Sequence, residues 1–175
     1  MTRLCTFLAL AAVFAASPIP FNGSQAFAQE KTDATQPAPA WRLKDLDGRE
    51  VSSEQFKGKV VVVDFWATWC GPCLSEIPGY IELQKKYGQD GLVIIGILSH
   101  DPKTRVQIKE FVRKHGMNYT ILFGGDEVEA AFGGPGGLEG IPTTFLIDRG
   151  GRIIHKKIGP MAHEEYESLV KRALN

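Results

Sequence analysis

Val61-Val62-Val63-Asp64-Phe65-Trp66-Ala67-Thr68-Trp69-Cys70-Gly71-Pro72-Cys73 is the segment on which the reading of this chain turns. Its first part is apolar and β-branched, the pattern of a strand buried on both faces. It stops at two cysteines with two residues between them. Leu74 to Tyr87 then reads as a helix whose buried face is supplied by Ile77, Tyr80, Ile81 and the Leu83-to-Tyr87 spacing. Cys70 therefore falls where a strand feeds a helix, at the helix N-terminus. Free backbone N–H groups and the positive end of the helix dipole stabilise an anion there. A thiol so placed is easier to deprotonate, and the thiolate is the nucleophile of disulfide exchange. Pro72 pre-sets the helical φ in the first turn, where its missing N–H costs little. Cys73 lies one turn on, near enough to bridge Cys70 and more buried. A structural disulfide or half of a zinc site would use the same pair. Against zinc stands the lack of a second Cys-x-x-Cys. Against a purely structural bridge stands the small unfolded-chain entropy that so short a loop removes.

Working outward, the chain has 175 residues, a length that fits one domain, with 20 basic and 20 acidic side chains. That balance offers no basic patch for nucleic acid and no strong steering field. Of three cysteines, Cys5 lies in a segment expected to be removed, so the mature chain keeps only the Cys70/Cys73 pair. Residues 1–28 read as a secretory signal peptide, with Arg3 at the positive start, an apolar run from Leu4 to Ala16, and Ala26-Phe27-Ala28 as the cleavage site. An uncleaved anchor is the alternative. Residues 29–40 are polar and proline-bearing, a flexible linker, and the folded domain is expected over 41–175.

Within that domain, Asp47-Gly48 predicts a hairpin turn between Trp41–Asp45 and Arg49–Val51. Ser53–Phe56 predicts one helical turn. Lys59–Trp66 and Leu92–Leu98 flank the helix as buried strands, so they form a parallel β-α-β unit. Asp101-Pro102 predicts the start of a further helix, with Val106, Ile108, Phe111 and Val112 on its apolar face and its end at His115-Gly116. Tyr119–Phe123 reads as a short strand. Asp126–Phe132 reads as a helix capped by Asp126. Gly133–Gly140 is glycine-rich and forms a loop beside the site or a plain spacer. Thr143–Ile147 is a strand, Asp148–Gly151 a turn, Arg152–Ile158 an antiparallel edge strand, and His163–Leu174 a closing helix that buries Tyr166, Leu169, Val170 and Ala173.

Asp-Phe-Trp-Ala-Thr-Trp-Cys-Gly-Pro-Cys, residues 64–73, resembles the thioredoxin active-site segment. Cys73-Leu74-Ser75-Glu76-Ile77-Pro78 resembles the exported TlpA/ResA-type thioredoxins of the wider redoxin superfamily. The resemblance covers roughly 41–175. It implies an α/β thioredoxin-like fold: a central mixed sheet with helices on both faces, an N-terminal β-hairpin and an inserted helix. It implies that Cys70 attacks a substrate disulfide and that Cys73 resolves the mixed disulfide. Asp64, an acid inside an apolar strand, matches the buried aspartate of thioredoxin that accepts a proton from the second cysteine; a buried acid is costly unless it is paired or functional. Glu76, three residues after Cys73 on the same helix face, matches the active-site glutamate of the TlpA/ResA type. A first-turn acid favoured by the helix dipole would look the same. Pro142 matches the cis-proline loop, so Trp69, Gly71, Pro72, Ile141 and Pro142 are the expected contacts for an extended substrate segment. Trp69 is expected at the surface, and Pro78 matches a structural helix proline. His100, His115, His155 and His163 lack the spacing of metal ligands and read as surface histidines.

The activity so implied is thiol–disulfide exchange outside the cytoplasm, as a protein-disulfide reductase without metal or cofactor. Its substrates would be protein disulfides, including those of cytochrome c maturation or copper-site proteins. Its electrons would come from a membrane thiol transporter, and the chain would work as a periplasmic monomer. Two rivals are a Sco-like copper chaperone, which wants a wider cysteine pair and a histidine, and a thiol peroxidase, which wants a proline upstream of its cysteine that is absent here.

Overall fold

The computed structural model describes residues 36–175. The signal-peptide reading and residues 29–35 of the linker lie outside them. Among the described residues, seven strands form one sheet in the order β2-β1-β5-β4-β3-β6-β7, with β1 Arg42–Asp45, β2 Glu50–Ser52, β3 Val60–Trp66, β4 Leu92–Leu98, β5 Thr120–Phe123, β6 Thr143–Ile147 and β7 Ile153–Ile158. β3, β4 and β5 run parallel, while β6, β7 and the β1–β2 hairpin add to them antiparallel. Among the described residues, the expected helical turn is present as a 3-10 helix at Ser53–Phe56, and four α-helices complete the fold: α1 Gly71–Tyr87, α2 Arg105–Lys114, α3 Asp126–Gly133 and α4 His163–Leu174. The thioredoxin-like mixed sheet expected from sequence is present, hairpin and inserted helix α2 included.

β3 is buried along its whole length, which is why it reads as a continuous apolar run and not as an alternation. Its odd residues, Val61, Val63 and Phe65, face one core together with Trp41 and with Val128 and Phe132 of α3. Its even residues, Val60 and Val62, face a second core with Tyr80, Leu83 and Tyr87 of α1 and Tyr166 and Val170 of α4. Trp66 continues that second face into a third cluster with Cys70, Cys73, Ile77 and, from α2, Ile108. Asp64 is an even residue, so alternation turns it toward α1.

Three local expectations are corrected. α2 begins at Arg105, not at Pro102: Thr104 is its N-cap, and its hydroxyl and Gln107 satisfy each other's backbone N–H groups in a capping box. Val106 is 74% exposed and not part of the apolar face, which consists of buried Ile108 with half-buried Phe111 and Val112. Asp126 is the first residue of α3 and does not cap it; Gly125 stands at the N-cap. In addition, Gln36 to Ala38, at the end of the expected linker, pair along the start of β7: Ala38 N donates to Gly151 O, and Ile153 N donates to Gln36 O.

Candidate active site

Cys70 is the N-cap of α1, with extended backbone, and its Sγ accepts a hydrogen bond from Cys73 N at 3.3 Å. The two cysteines form a disulfide with Cα atoms 5.3 Å apart. Cys70 is 5% and Cys73 2% exposed, so the expected contrast between an open and a buried cysteine is slight in the disulfide form. Trp69, 59% exposed, and the exposed Gly71 and Pro72 stand around them, whereas Trp66 belongs to the core. Pro78 lies inside α1.

The turn that delivers Cys70 is held from outside the motif. Thr68 N donates to Asp101 Oδ2 at 2.6 Å, Lys103 N donates to Asp101 Oδ1 at 3.0 Å, and Lys103 Nζ donates to Thr68 Oγ1 at 2.6 Å. Burial tends to raise the Asp101 pKa, but the hydrogen bonds from Thr68 and Lys103 outweigh it and hold the carboxyl below its usual range. Asp101 was expected to open a helix; its side chain is occupied in bracing this turn.

The two predicted carboxylates are buried between β3 and α1. Asp64 is 3% exposed, and its Oδ1 accepts from Thr144 Oγ1 at 3.1 Å. Thr144 in turn lies 3.2 Å from the Tyr80 hydroxyl. Strand register makes this possible: Asp64 of β3 pairs with Thr144 of β6, which pairs with Lys157 of β7. Burial pushes the Asp64 pKa well above the usual carboxylate range, the nearby Glu76 pushes it further, and the Thr144 hydrogen bond only partly opposes them. Glu76 is 9% exposed, well past the first turn of α1; its Oε1 accepts from Met161 N at 3.0 Å, and its Oε2 is buried without a protein partner. Burial raises its pKa too, against the Met161 hydrogen bond and the charge of Lys157. A dipole-stabilised surface acid would show the opposite shift, so that simple reading of Glu76 does not describe it. Burial and the neighbouring acids also keep the hydroxyls of Tyr80, Tyr119 and Tyr166 protonated.

The Ile141–Pro142 peptide is cis. Ile141 is half-buried against the cluster that contains Cys70 and Cys73, which brings this loop to the disulfide. The glycine-rich segment Gly134–Gly140 leads directly into it. Sequence reasoning singled out neither the Thr144–Tyr80 pair as partners of Asp64 nor Lys157 as a neighbour of Glu76. A lysine within an edge strand was the available signal, but its facing residue depends on register. The histidines are not uniformly superficial: Nε2 of His155 and Nδ1 of His163 are buried without protein partners, and His115 stacks on Phe111 at 3.9 Å.

A dithiol at a helix N-terminus, backed by buried acids, is suited to exchanging two electrons with another disulfide. On this sheet and helix order it defines a thioredoxin-like thiol–disulfide oxidoreductase. Comparison with known proteins leads to the same class. The chain belongs to the Redoxin family, whose model matches residues 33–174. It is 33% identical over 146 residues to the thiol-disulfide oxidoreductase ResA of Bacillus anthracis, covering 82% of this chain and 80% of that protein. It is also 33% identical over 132 residues to the thioredoxin-like protein YneN of Bacillus subtilis, covering 75% of each. Among solved structures, a thiol:disulfide interchange protein of the thioredoxin family from Chlorobium tepidum superimposes with a TM-score of 0.74 at 34% identity, covering 82% of this chain and 99% of that one. The chain is thus a thiol–disulfide oxidoreductase.

Proposed function

We propose that the chain is an exported protein-disulfide reductase. The Cys70 thiolate attacks a substrate disulfide, forming a mixed disulfide and expelling one substrate thiolate. Cys73 gives its proton to the buried carboxylate pair, and its thiolate attacks Cys70 Sγ. The second substrate sulfur leaves as a thiolate, and the enzyme ends with the Cys70–Cys73 disulfide. The observation that carries this reading is the pair Asp64 and Glu76, two buried acids on the α1 side of β3, each with raised proton affinity. A base whose pKa is lifted toward working pH is matched to a thiol proton. Asp64, the more deeply buried of the two, is the acceptor, and Glu76 exchanges the proton onward; the two titrate as a coupled pair. Exposed Trp69, Gly71 and Pro72 and half-buried Ile141 form the rim that receives an extended substrate segment, with Pro142 buried beside Ile141 in the loop.

Export rests on the signal-peptide reading of residues 1–28, with 29–35 as a tether to the redoxin domain, which the pairing of Gln36 to Ala38 with the start of β7 extends; among the described residues no helix is long and apolar enough to cross a membrane. In the periplasm a reductant must be recharged, so a membrane thiol transporter is the electron donor and the chain acts as a monomer between donor and substrate. The Gly71-Pro72 dipeptide, shared with reducing thioredoxins, supports the direction. The test is substrate trapping. Cys73→Ser should accumulate mixed disulfides through Cys70 that vanish on adding reductant, while Cys70→Ser accumulates none. Trapping through Cys73 instead would reverse the assigned order.

A further inference from the structure

Beside the buried acids lies a small cavity of about 60 Å³ lined by Glu76, Gly79, Tyr80, Met161, His163 and Tyr166. It has room for water, since a single molecule needs only ~10–15 Å³ of such space and two or more polar partners. Two of its lining side chains supply such partners: Glu76 Oε2, on a side chain nine-tenths buried, and His163 Nδ1 are both buried with no protein hydrogen-bond partner. The other nitrogen of the same ring faces outward, with Nε2 3.5 Å from Oε2 of the exposed Glu82. His163 therefore spans from the cavity to solvent.

The sequence of α1 makes room for it. Gly79 sits in mid-helix, where glycine is less favourable than alanine. A Cβ at Gly79 would lie 2.8 Å from His163 Nδ1. The glycine admits the imidazole to the helix surface one turn after Glu76. The groups that face the ring are Glu76 and Glu82 of α1 and the tyrosines Tyr80 and Tyr166. Glu167, one turn along α4, is held by Lys86 and Tyr87, and Lys157 of β7 acts on Glu76.

We propose that His163 is the proton exit of the buried acid pair. This rests on the reading of Asp64 and Glu76 as acceptors of the Cys73 proton. When Cys73 is deprotonated to resolve a mixed disulfide, the proton held by the pair passes from Glu76 through water in the cavity to His163 Nδ1. The imidazolium so formed releases its Nε2 proton to solvent at Glu82, leaving the ring neutral with the proton on Nδ1. When the disulfide is later reduced by the electron donor, Cys73 must regain a proton. Nε2 then takes one from solvent, Nδ1 gives one inward, and the starting tautomer returns. Each complete cycle thus restores the imidazole, and no further reactant is needed. His163 touches no reacting sulfur and acts only through Glu76.

The experiment follows the reaction of the reduced protein with oxidised glutathione as probe disulfide, resolving first attack from the second release of glutathione. His163→Gln should slow the second step about tenfold near neutral pH, less than the hundredfold or more typical of losing a direct acid or base. It should leave first attack and the equilibrium potential unchanged, because a relay alters rates and not end states. His163→Ala should recover the second step when imidazole is added to the buffer. If His163→Gln folds poorly, Gly79→Ala, which displaces the ring while keeping it, should produce the same selective slowing. A second step in His163→Gln that matches the unaltered protein across the pH profile, or no rescue of His163→Ala by imidazole, overturns the relay. If Glu76→Gln or Asp64→Asn slows that step while His163→Gln does not, the relay falls and the buried-acid reading stands. If none of them slows it, both fall.

Discussion

Asp64 occupies a position that stability alone would give to valine. It is legible from sequence because a single acid interrupts an apolar run. Its folded pKa is raised above the unfolded value, so the folded state holds the proton more tightly. The stabilisation from protonated Asp64 is full below the unfolded pKa, near 3.9, and is lost as pH rises through the folded pKa. At neutral pH the carboxyl therefore costs stability. Asp64→Asn should stabilise the protein at pH 7 by roughly 1–3 kcal/mol, the usual penalty of a poorly satisfied buried polar group, and the gain should shrink in acid; urea unfolding at two pH values measures it. The same variant should slow resolution of the mixed disulfide about a hundredfold with little effect on first attack, read by stopped-flow fluorescence. Asp101 obeys the opposite sign. Its pKa is depressed, so its stabilisation is present above the unfolded pKa and is lost as pH falls through the folded one. Asp101→Ala leaves Thr68 N without its acceptor, and about 1–3 kcal/mol of stability at neutral pH should be lost, by the same unfolding assay. What sequence could not show at this scale is partnership. Thr144 and Lys157 reach the acids only because β6 pairs with β3, and β7 with β6, in one register, and no local pattern encodes that register; Tyr80 meets Thr144 from α1.

At the scale of elements, α1 and β3 were readable because their signals are local. An unbroken β-branched run, a cysteine at the N-cap and a proline in the first turn each act within a few residues. α2 was readable as an element but not in its boundary or its face. Asp101-Pro102 has the form of a helix start, yet Asp101 is engaged with Thr68, 33 residues away, and the cap passes to Thr104. Likewise Val106 fits the apolar spacing but lies on the solvent side of a helix whose buried line runs through Ile108. The two readings predict different mutational costs. Val106→Glu should change stability by less than about 0.5 kcal/mol, as surface substitutions do. Ile108→Ala, at 0% exposure in the cluster shared with Cys70 and Cys73, should cost about 2–5 kcal/mol. Thermal unfolding of the two variants side by side would decide which residue carries the face, and comparable losses at both positions would restore Val106 to the apolar face expected from sequence.

For the molecule as a whole, the direction of electron flow is a question of how folding and disulfide formation are linked. Folding and oxidation close a thermodynamic cycle, so the difference in folding free energy between the oxidised and reduced forms equals the difference in disulfide potential between the folded and unfolded chain. For this two-electron couple about 30 mV corresponds to 1.4 kcal/mol. Two features pull on the folded site. The N-terminus of α1 favours a Cys70 thiolate and thereby the reduced form. Asp64 and Glu76, buried on the same side of the sheet as Cys73, bring negative charge toward the dithiol whenever they ionise, and so favour the uncharged disulfide. If the acids dominate, the folded disulfide is hard to reduce and the oxidised protein is the more stable form, as a reductase requires. The expected result is a higher melting temperature for oxidised than for reduced protein at pH 7, with the gap narrowing in Asp64→Asn as the charge is removed. Calorimetry on the two redox forms of both proteins checks this. A reduced form that melts higher would place the helix terminus in control and make the chain an electron acceptor from its substrates, with the fold and the exchange chemistry unchanged.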